Sequence, residues 1–174
     1  ALNSLMSGDI VVLQCVEVKR NFHAQHDAKC KTYEYRILNR RVESALRQFR
    51  AWHIRSELDI NLIKKASQHI LGKLDFTSFC RKKSITSCPV RTVSAFEIGR
   101  RSDEIVLRIT ADGFLRHMVR NIVGTLVEVG RRERSIDSLP VLIESRDRAM
   151  AGPTAPSHGL SLVKVDYKKE IFED

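Results

Sequence analysis

The chain has 174 residues, of which 43% are hydrophobic and 29% are charged, and its formal net charge is +9. This composition is typical of a folded globular protein and excludes the low hydrophobicity of a disordered chain. No apolar run approaches the roughly 18 residues of a membrane-spanning helix, and the start of the chain lacks the charged-then-apolar layout of a signal peptide. We therefore expect no membrane association. The basic excess favours nucleic acid as the partner.

The spacing of apolar residues predicts eight regular elements in a single domain. A period of two marks strands, and a period near 3.6 marks helices. The basic, poorly periodic segment 40–57 is interpreted as a crossing or capping segment. In chain order the elements are strands at 10–19 and 31–38, a helix capped by Asp59 and ended by Gly72, a hairpin at 92–100 and 104–110, a helix at 113–130, a helix at 136–145 capped by Ser135, and a strand at 160–167. This order predicts an α+β fold, with a mainly antiparallel sheet and helices packed on one face.

The segment 113–130, with the sequence GFLRHMVRNIVGTLVEVG, carries the strongest signal for a functional site. On a helix, one broad side of it is apolar. The remaining arc is polar or small and gathers Arg116, His117, Arg120, Asn121, Gly124 and Glu128. Such an arc faces either water, as on a surface helix with a solvated basic side, or a polar group. Gly124 costs about 1 kcal/mol relative to Ala inside a helix, and it allows another backbone or a ligand to approach closely.

Two further patterns are each open to two interpretations. Tyr33 and Tyr35 share one face of the strand at 31–38, where they form either a stacking platform for nucleobases or a pair of core tyrosines. The basic run Arg81–Lys83 lies in a long loop, where it is either part of a functional surface or simply solvated.

No phosphate-binding glycine loop, metalloprotease motif or nucleophile elbow occurs in the sequence. Asp147 is flanked by Arg146 and Arg148 and is interpreted as a salt-bridged structural acid. The four cysteines and six histidines have no zinc-ligand spacing, so a metal-binding domain is the weakest alternative. Arg116 and Arg120 on one helix instead indicate a site for an anion, because the guanidinium fork donates two parallel hydrogen bonds to phosphate or carboxylate.

Five blocks of the sequence resemble those of the tRNA pseudouridine synthase A family, in the same order. The resemblance covers nearly the whole chain, and the helix block and the final block are the most specific. The blocks are FHAQHDAKCKTYEYRI, GKLDFTSF, PVRTV, GFLRHMVRNIVGTLVEVG and GPTAPSHGLSLVKVDY.

The resemblance implies isomerisation of uridine to pseudouridine in the anticodon stem-loop, at tRNA positions 38–40, without metal or organic cofactor. The family uses an aspartate in a G-R-T-D-A-G-V-H block, which detaches uracil so that it can rejoin the ribose through carbon. That block is absent here, and the opening ALNSLMSGDI resembles the segment that follows it. We therefore expect residues 1–174 to be the C-terminal catalytic portion of a cytoplasmic, homodimeric enzyme, inactive alone. The alternative is a non-catalytic RNA-binding module.

The resemblance also assigns roles to individual residues. Tyr33 corresponds to the tyrosine that packs on the target base, and Arg120 to the arginine that pairs with the catalytic aspartate. Gln25 and Glu34 stand where the family usually or often has arginine, which removes positive charge near the expected RNA path. The RNA-binding residues implied are Arg81, Lys82, Lys83, Arg91, Arg116, His117 and Asn121. The base pocket implied consists of Phe114, Met118, Val119 and Leu160.

Overall fold

The computed structural model describes residues 2–81 and 88–167, and within them six strands form one mixed, mainly antiparallel sheet. Strand β1 is central, because β5 pairs with it on one side while β6 and the parallel β2 share its other side. The sheet order is β2-β1-β5-β4-β3, with β6 beside β1. The strands are β1 (Ala28–Asn39), β2 (Trp52–Ile54), β3 (Gly72–Asp75), β4 (Val90–Arg101), β5 (Glu104–Ala111) and β6 (Leu160–Tyr167).

The two faces of the sheet differ sharply in polarity. Tyr35 and Ile37 of β1 are fully buried on one face, where they join a core built with helices α1 (Ile60–Ser67), α2 (Met118–Gly130) and α3 (Ser138–Ser145). Glu34 lies on the opposite face, because successive side chains of a strand alternate. The predicted α+β fold, with a mainly antiparallel sheet and helices on one face, is confirmed.

Helix α1 begins as its sequence predicts but ends earlier, because the α-helix stops at Ser67 and a short 3-10 turn, Gln68–Ile70, leads to Gly72. The Asp59 carboxylate accepts hydrogen bonds from the backbone N–H groups of Asn61 and Leu62, at 3.1 and 3.2 Å. These bonds satisfy donors that the first turn of a helix leaves open. At the other end, Gly72 has a φ of +95°, a conformation that glycine adopts without steric cost.

Helix α2 is shorter than predicted, because its first residue is Met118 rather than Gly113. His117 precedes it in the left-handed region with a φ of 67°, so it and Arg116 lie before the helix. Every residue of α2 except Arg120 and Glu128 is buried. The surface-helix alternative is therefore wrong, since a loop covers the polar arc.

The predicted strand at 10–19 is wrong. Its residues are mostly exposed and pair with no strand in the described part of the chain. At Val12 the backbone N–H and carbonyl instead bond to the Asn3 side chain, at 2.7 and 2.9 Å. An extended, β-branched run becomes a strand only when its backbone groups find a partner strand.

Three other boundaries also differ from the prediction. The segment 40–57 contains the short parallel strand β2, and the loop region after α1 contains β3. The cap of α3 is Asp137 rather than Ser135, whose hydroxyl accepts a hydrogen bond from the Asp137 N–H at 3.3 Å.

Candidate functional site

A loop at 151–156 covers the polar arc of α2 and fits it closely. The Gly152 N–H donates to the Thr125 hydroxyl at 3.0 Å, and the Ala155 N–H donates to the Arg120 carbonyl at 3.1 Å. Between these contacts, a Cβ on Gly124 would lie 1.7 Å from the Pro153 carbonyl oxygen. The glycine is therefore required for this backbone approach.

The covering loop fixes the guanidinium of Arg120. Its Nε donates to the Ala155 carbonyl at 2.6 Å, while the Tyr35 hydroxyl donates to the neighbouring Pro156 carbonyl at 2.8 Å. Adjacent carbonyls thus hold the arginine and the tyrosine side by side. Burial raises the pKa of Tyr35, and the nearby positive charge of Arg120 only partly offsets that effect. Tyr35 therefore stays neutral and acts as a core tyrosine.

Tyr33 lies on the same face of β1 as Tyr35 but is only partly buried. Its ring meets the ring of Phe114 edge to face, with centroids 5.0 Å apart and an interplanar angle of 86°. In an edge-to-face pair at most one flat face of each ring is in contact, so at least one face of the Tyr33 ring is not covered by Phe114. An aromatic ring held in this way is suited to stack on a planar ligand.

The remaining base-pocket predictions separate into two groups. Phe114 and Leu160 are partly buried and pack against the core from its edge. Met118 and Val119 are 0% and 5% exposed and belong to the core itself.

A cluster of positive charge surrounds His117 at the start of α2. Burial lowers the pKa of His117, and the charges of four arginines lower it further: Arg120, Arg81, Arg116 and Arg148. The Arg81 N–H donates to the Arg116 carbonyl at 3.2 Å, which ties the two loops together. Within residues 2–81 and 88–167, none of these arginines forms an ion pair with a carboxylate. The cluster can therefore accept an external anion.

Two predicted RNA-binding residues form hydrogen bonds within the protein, and two lie outside the described residues. Arg91 directs its Nη1 to the backbone carbonyls of Val90 and Cys88, at 2.6 and 2.9 Å. Asn121 is 1% exposed, and both ends of its amide are hydrogen-bonded inside the protein. It is therefore not placed for the direct contact with RNA that the sequence predicts. Lys82 and Lys83 fall outside the part of the chain that the structure describes.

The structure also shows the positions of three other charged or polar residues that the sequence analysis interpreted. Glu34 is 3% exposed on the sheet face opposite Tyr33, between Arg36 and Arg108, so it does not border the tyrosine site. Gln25 is exposed in the segment before β1. Asp147 accepts a hydrogen bond from the Ala149 N–H at 2.9 Å and caps a short turn, rather than forming the expected salt bridge.

The sequence does not reveal that Ala155, Thr154 and Arg148 contribute to the site. Their contribution depends on which backbone lies over α2, and the Pro/Gly-rich pattern of 151–159 indicates only a loop. The one usable signal was Gly124, whose absent side chain predicts a close approach without naming the approaching segment. Among the described residues, no three His, Cys, Asp or Glu side chains are grouped so that they could hold a metal ion. No helix in the same part of the chain is long and apolar enough to cross a membrane.

Comparison with known proteins identifies the family. Residues 66–168 match the sequence profile of tRNA pseudouridine synthase. The chain belongs to the tRNA pseudouridine synthase family. It is 42% identical over 167 residues to tRNA pseudouridine synthase A of Moorella thermoacetica, covering 96% of this chain and 68% of that protein.

Two further tRNA pseudouridine synthases A are similar to the chain over most of its length. It is 41% identical over 160 residues to that of Halalkalibacterium halodurans, covering 92% of the chain and 61% of the relative. It is 43% identical over 169 residues to that of Orientia tsutsugamushi strain Ikeda, covering 96% of the chain and 60% of the relative. The chain therefore spans about two thirds or less of the length of these synthases.

Proposed function

We propose that residues 1–174 are the C-terminal, active-site-bearing portion of an enzyme that converts uridine to pseudouridine in the anticodon stem-loop of tRNA. The observation that carries this proposal is Arg120. Its Nε is fixed by the Ala155 carbonyl at 2.6 Å, next to the buried Tyr35, and it has no carboxylate partner among the described residues. An arginine placed in this way is ready to bind a carboxylate or phosphate supplied from outside these residues.

The proposed reaction is an isomerisation that needs no oxidant or reductant. The bond between N1 of uracil and C1′ of ribose breaks, a bond between C5 and C1′ forms, the C5 proton is released, and N1 takes up a proton. In this scheme Arg120 binds the catalytic aspartate of the upstream G-R-T-D block. The positive charge lowers the pKa of that aspartate and fixes its orientation.

Tyr33 has the second proposed role at the reacting base. Its ring, held at its position by the edge contact with Phe114, packs on the uracil. Its hydroxyl is the group we propose for receiving or relaying the C5 proton. Leu160 of β6, which pairs with Tyr35, contributes to the proposed apolar wall, and the buried Met118 and Val119 form its proposed floor.

The basic cluster around His117 is the proposed contact with the RNA backbone. Arg81 and Arg116 are exposed there, and we include Lys82 and Lys83, which follow Arg81 in the sequence, and Arg91 at the start of β4. Binding through phosphates should weaken steeply as salt rises, because it releases counterions from the RNA. In the intact enzyme we propose a cytoplasmic homodimer that acts on tRNA without a cofactor.

Comparison of two proteins tests the proposed function: the 174-residue chain, and the same chain extended upstream through its own G-R-T-D block. Each is incubated with tRNA, and pseudouridine is quantified by mass spectrometry of the digested nucleosides. We expect the shorter chain to bind anticodon stem-loop RNA without turnover and the longer protein to form pseudouridine. Turnover by the shorter chain would contradict the role given to the upstream aspartate. RNA binding without turnover by either protein would leave only an RNA-binding module.

A further inference from the structure

The position of the Arg120 guanidinium depends on a segment that is distant in sequence. The Nε of Arg120 donates to the Ala155 carbonyl at 2.6 Å, and the Arg120 carbonyl in turn accepts from the Ala155 N–H at 3.1 Å. Ala155 lies between two short 3-10 turns and belongs to no helix or strand. Its placement therefore depends on the hydrogen bonds that tie the loop to the elements beneath it, α2 and β1.

Asn121 adds side-chain contacts from the interior of α2. Its amide oxygen accepts from the Thr154 hydroxyl at 2.6 Å and from the Arg148 guanidinium at 3.1 Å. Its amide nitrogen donates to the Phe79 carbonyl at 2.6 Å, which leads directly into the loop of Arg81. One buried amide thus joins α2 to both loops that border the site.

Arg148 closes this group into a ring of hydrogen bonds. The Nη2 that reaches Asn121 also donates to the Thr154 hydroxyl at 3.1 Å, and Nη1 donates to the Ala151 carbonyl at 3.2 Å. Because the guanidinium is planar and its donors are fixed in a fork, it sets the distance between the two ends of the loop. Networks of this kind specify one arrangement when every member is satisfied.

We propose that Asn121, Thr154 and Arg148 are positioning residues that hold the 151–156 loop on α2 and thereby orient the Arg120 guanidinium toward the site. Only the catalytic consequence of this positioning role rests on the proposed function. The orientation of Arg120 itself is a property of the folded chain. Arg148 consequently acts through Thr154 and Ala155, although its charge also contributes to the cluster around His117.

The test uses the 174-residue chain and Thr154→Val, which keeps the shape of the side chain and removes the hydroxyl. Hydrogen exchange of the Arg120 Nε–H is followed by 15N NMR at mildly acidic pH. We expect the variant to exchange about fivefold faster or more, the change that corresponds to losing one buried hydrogen bond. Thr154→Ser should restore slow exchange.

Thr110→Val is the matched control. It removes the hydrogen bond at 2.8 Å between the Thr110 and Thr32 hydroxyls on the open face of the sheet, far from the loop, and should leave Arg120 exchange unchanged. Unaltered Arg120 exchange in a folded Thr154→Val chain would overturn the proposal. If that variant fails to fold, Arg148→Met provides the same readout from the partly buried end of the network.

The longer enzyme separates a positioning role from a merely structural one. There Thr154→Val should lower kcat by about tenfold while the Kd for tRNA changes little, because the RNA-contacting side chains stay in place. An equal rise in Kd would mean that the loop contributes to RNA binding and not to orientation, which contradicts the proposal. If the longer protein forms no pseudouridine at all, the proposed function fails, while the exchange result still decides whether the loop orients Arg120.

Discussion

At the scale of single residues, Tyr33 has two separable parts, a ring and a hydroxyl. The ring packs edge to face with Phe114, and it needs no hydroxyl to stack on a base. We expect Tyr33→Phe to retain most of the affinity for anticodon stem-loop RNA, whereas Tyr33→Leu should lose about 1–2 kcal/mol of binding free energy. Affinity measured by fluorescence anisotropy checks this, and an equal loss in both variants would assign the contribution to the hydroxyl.

His117 reports on the charge around it. Its pKa is lowered by burial and then by the four neighbouring arginines, so the folded state binds a proton less readily than the unfolded state. The stability that depends on neutral His117 is therefore complete above the unfolded pKa of about 6.5 and is lost as pH falls from there toward the folded pKa. RNA phosphates would oppose the arginine charges, and we expect bound RNA to raise the His117 pKa.

An NMR titration of the His117 ring, with and without stem-loop RNA, measures this shift. Arg116→Gln is the control, because removing one positive charge should raise the pKa of His117 even without RNA. A His117 pKa that stays the same at saturating RNA would show that phosphate does not bind at this cluster.

At the scale of elements, the open face of the sheet carries the ion pairs of Glu34, whereas the other face is covered by the helices. Burial disfavours the charged form of Glu34, but hydrogen bonds from Arg108 and Arg36 outweigh burial and lower its pKa. We expect Glu34→Gln to lower the free energy of unfolding by about 1–2 kcal/mol at pH 7. The difference should disappear as pH falls through the lowered Glu34 pKa, since a protonated Glu34 loses the same ion pairs.

Urea unfolding at neutral and acidic pH checks the Glu34 prediction. Because Glu34 lies on the face opposite Tyr33, the affinity for RNA should not change with this substitution. A variant as stable as the parent at pH 7 would mean that the two ion pairs add nothing to stability.

Helix α2 and the 151–156 loop are joined most tightly at Gly124. A Cβ there would lie 1.7 Å from the Pro153 carbonyl oxygen, so the loop has to move. We expect Gly124→Ala to lower the free energy of unfolding by about 1–3 kcal/mol, although Ala is the better helix former by about 1 kcal/mol. Gly99→Ala is the control, because a Cβ at Gly99 meets no heavy atom within 4 Å.

Guanidinium unfolding of the two glycine variants gives the comparison. A Gly124→Ala protein that is as stable as the Gly99→Ala protein would contradict the close approach of the loop.

Local patterns were sufficient for the elements whose periodicity is strong. Alternation predicted β1, the β4–β5 hairpin and β6, and the apolar spacing predicted α1 and most of α2. Short strands such as β2 and β3 exist only because β1 and β4 offer them backbone partners, which a local pattern does not contain. The same reason explains the failure at 10–19, where a strong strand pattern pairs with no strand in the described part of the chain.

At the scale of the whole molecule, the site is made where three distant segments meet. The sequence alone left open whether the polar arc of α2 faces water or a partner, and the family resemblance named Tyr33 and Arg120. It could not indicate that the backbone of 151–156 is that partner, because the approach depends on how β6 returns to pair with β1. Four of the positive charges lie around His117, and none of these arginines forms an ion pair with a carboxylate in the described ranges.

Arg120→Ala in the upstream-extended enzyme tests the account most directly, with pseudouridine formation and tRNA Kd measured on the same preparation. We predict that turnover falls by about 10³-fold, while the Kd changes by less than about threefold because the phosphate contacts remain. Arg116→Ala is the matched control and should do the reverse, weakening binding more than turnover. Near-normal pseudouridine formation by the Arg120→Ala enzyme would contradict the account.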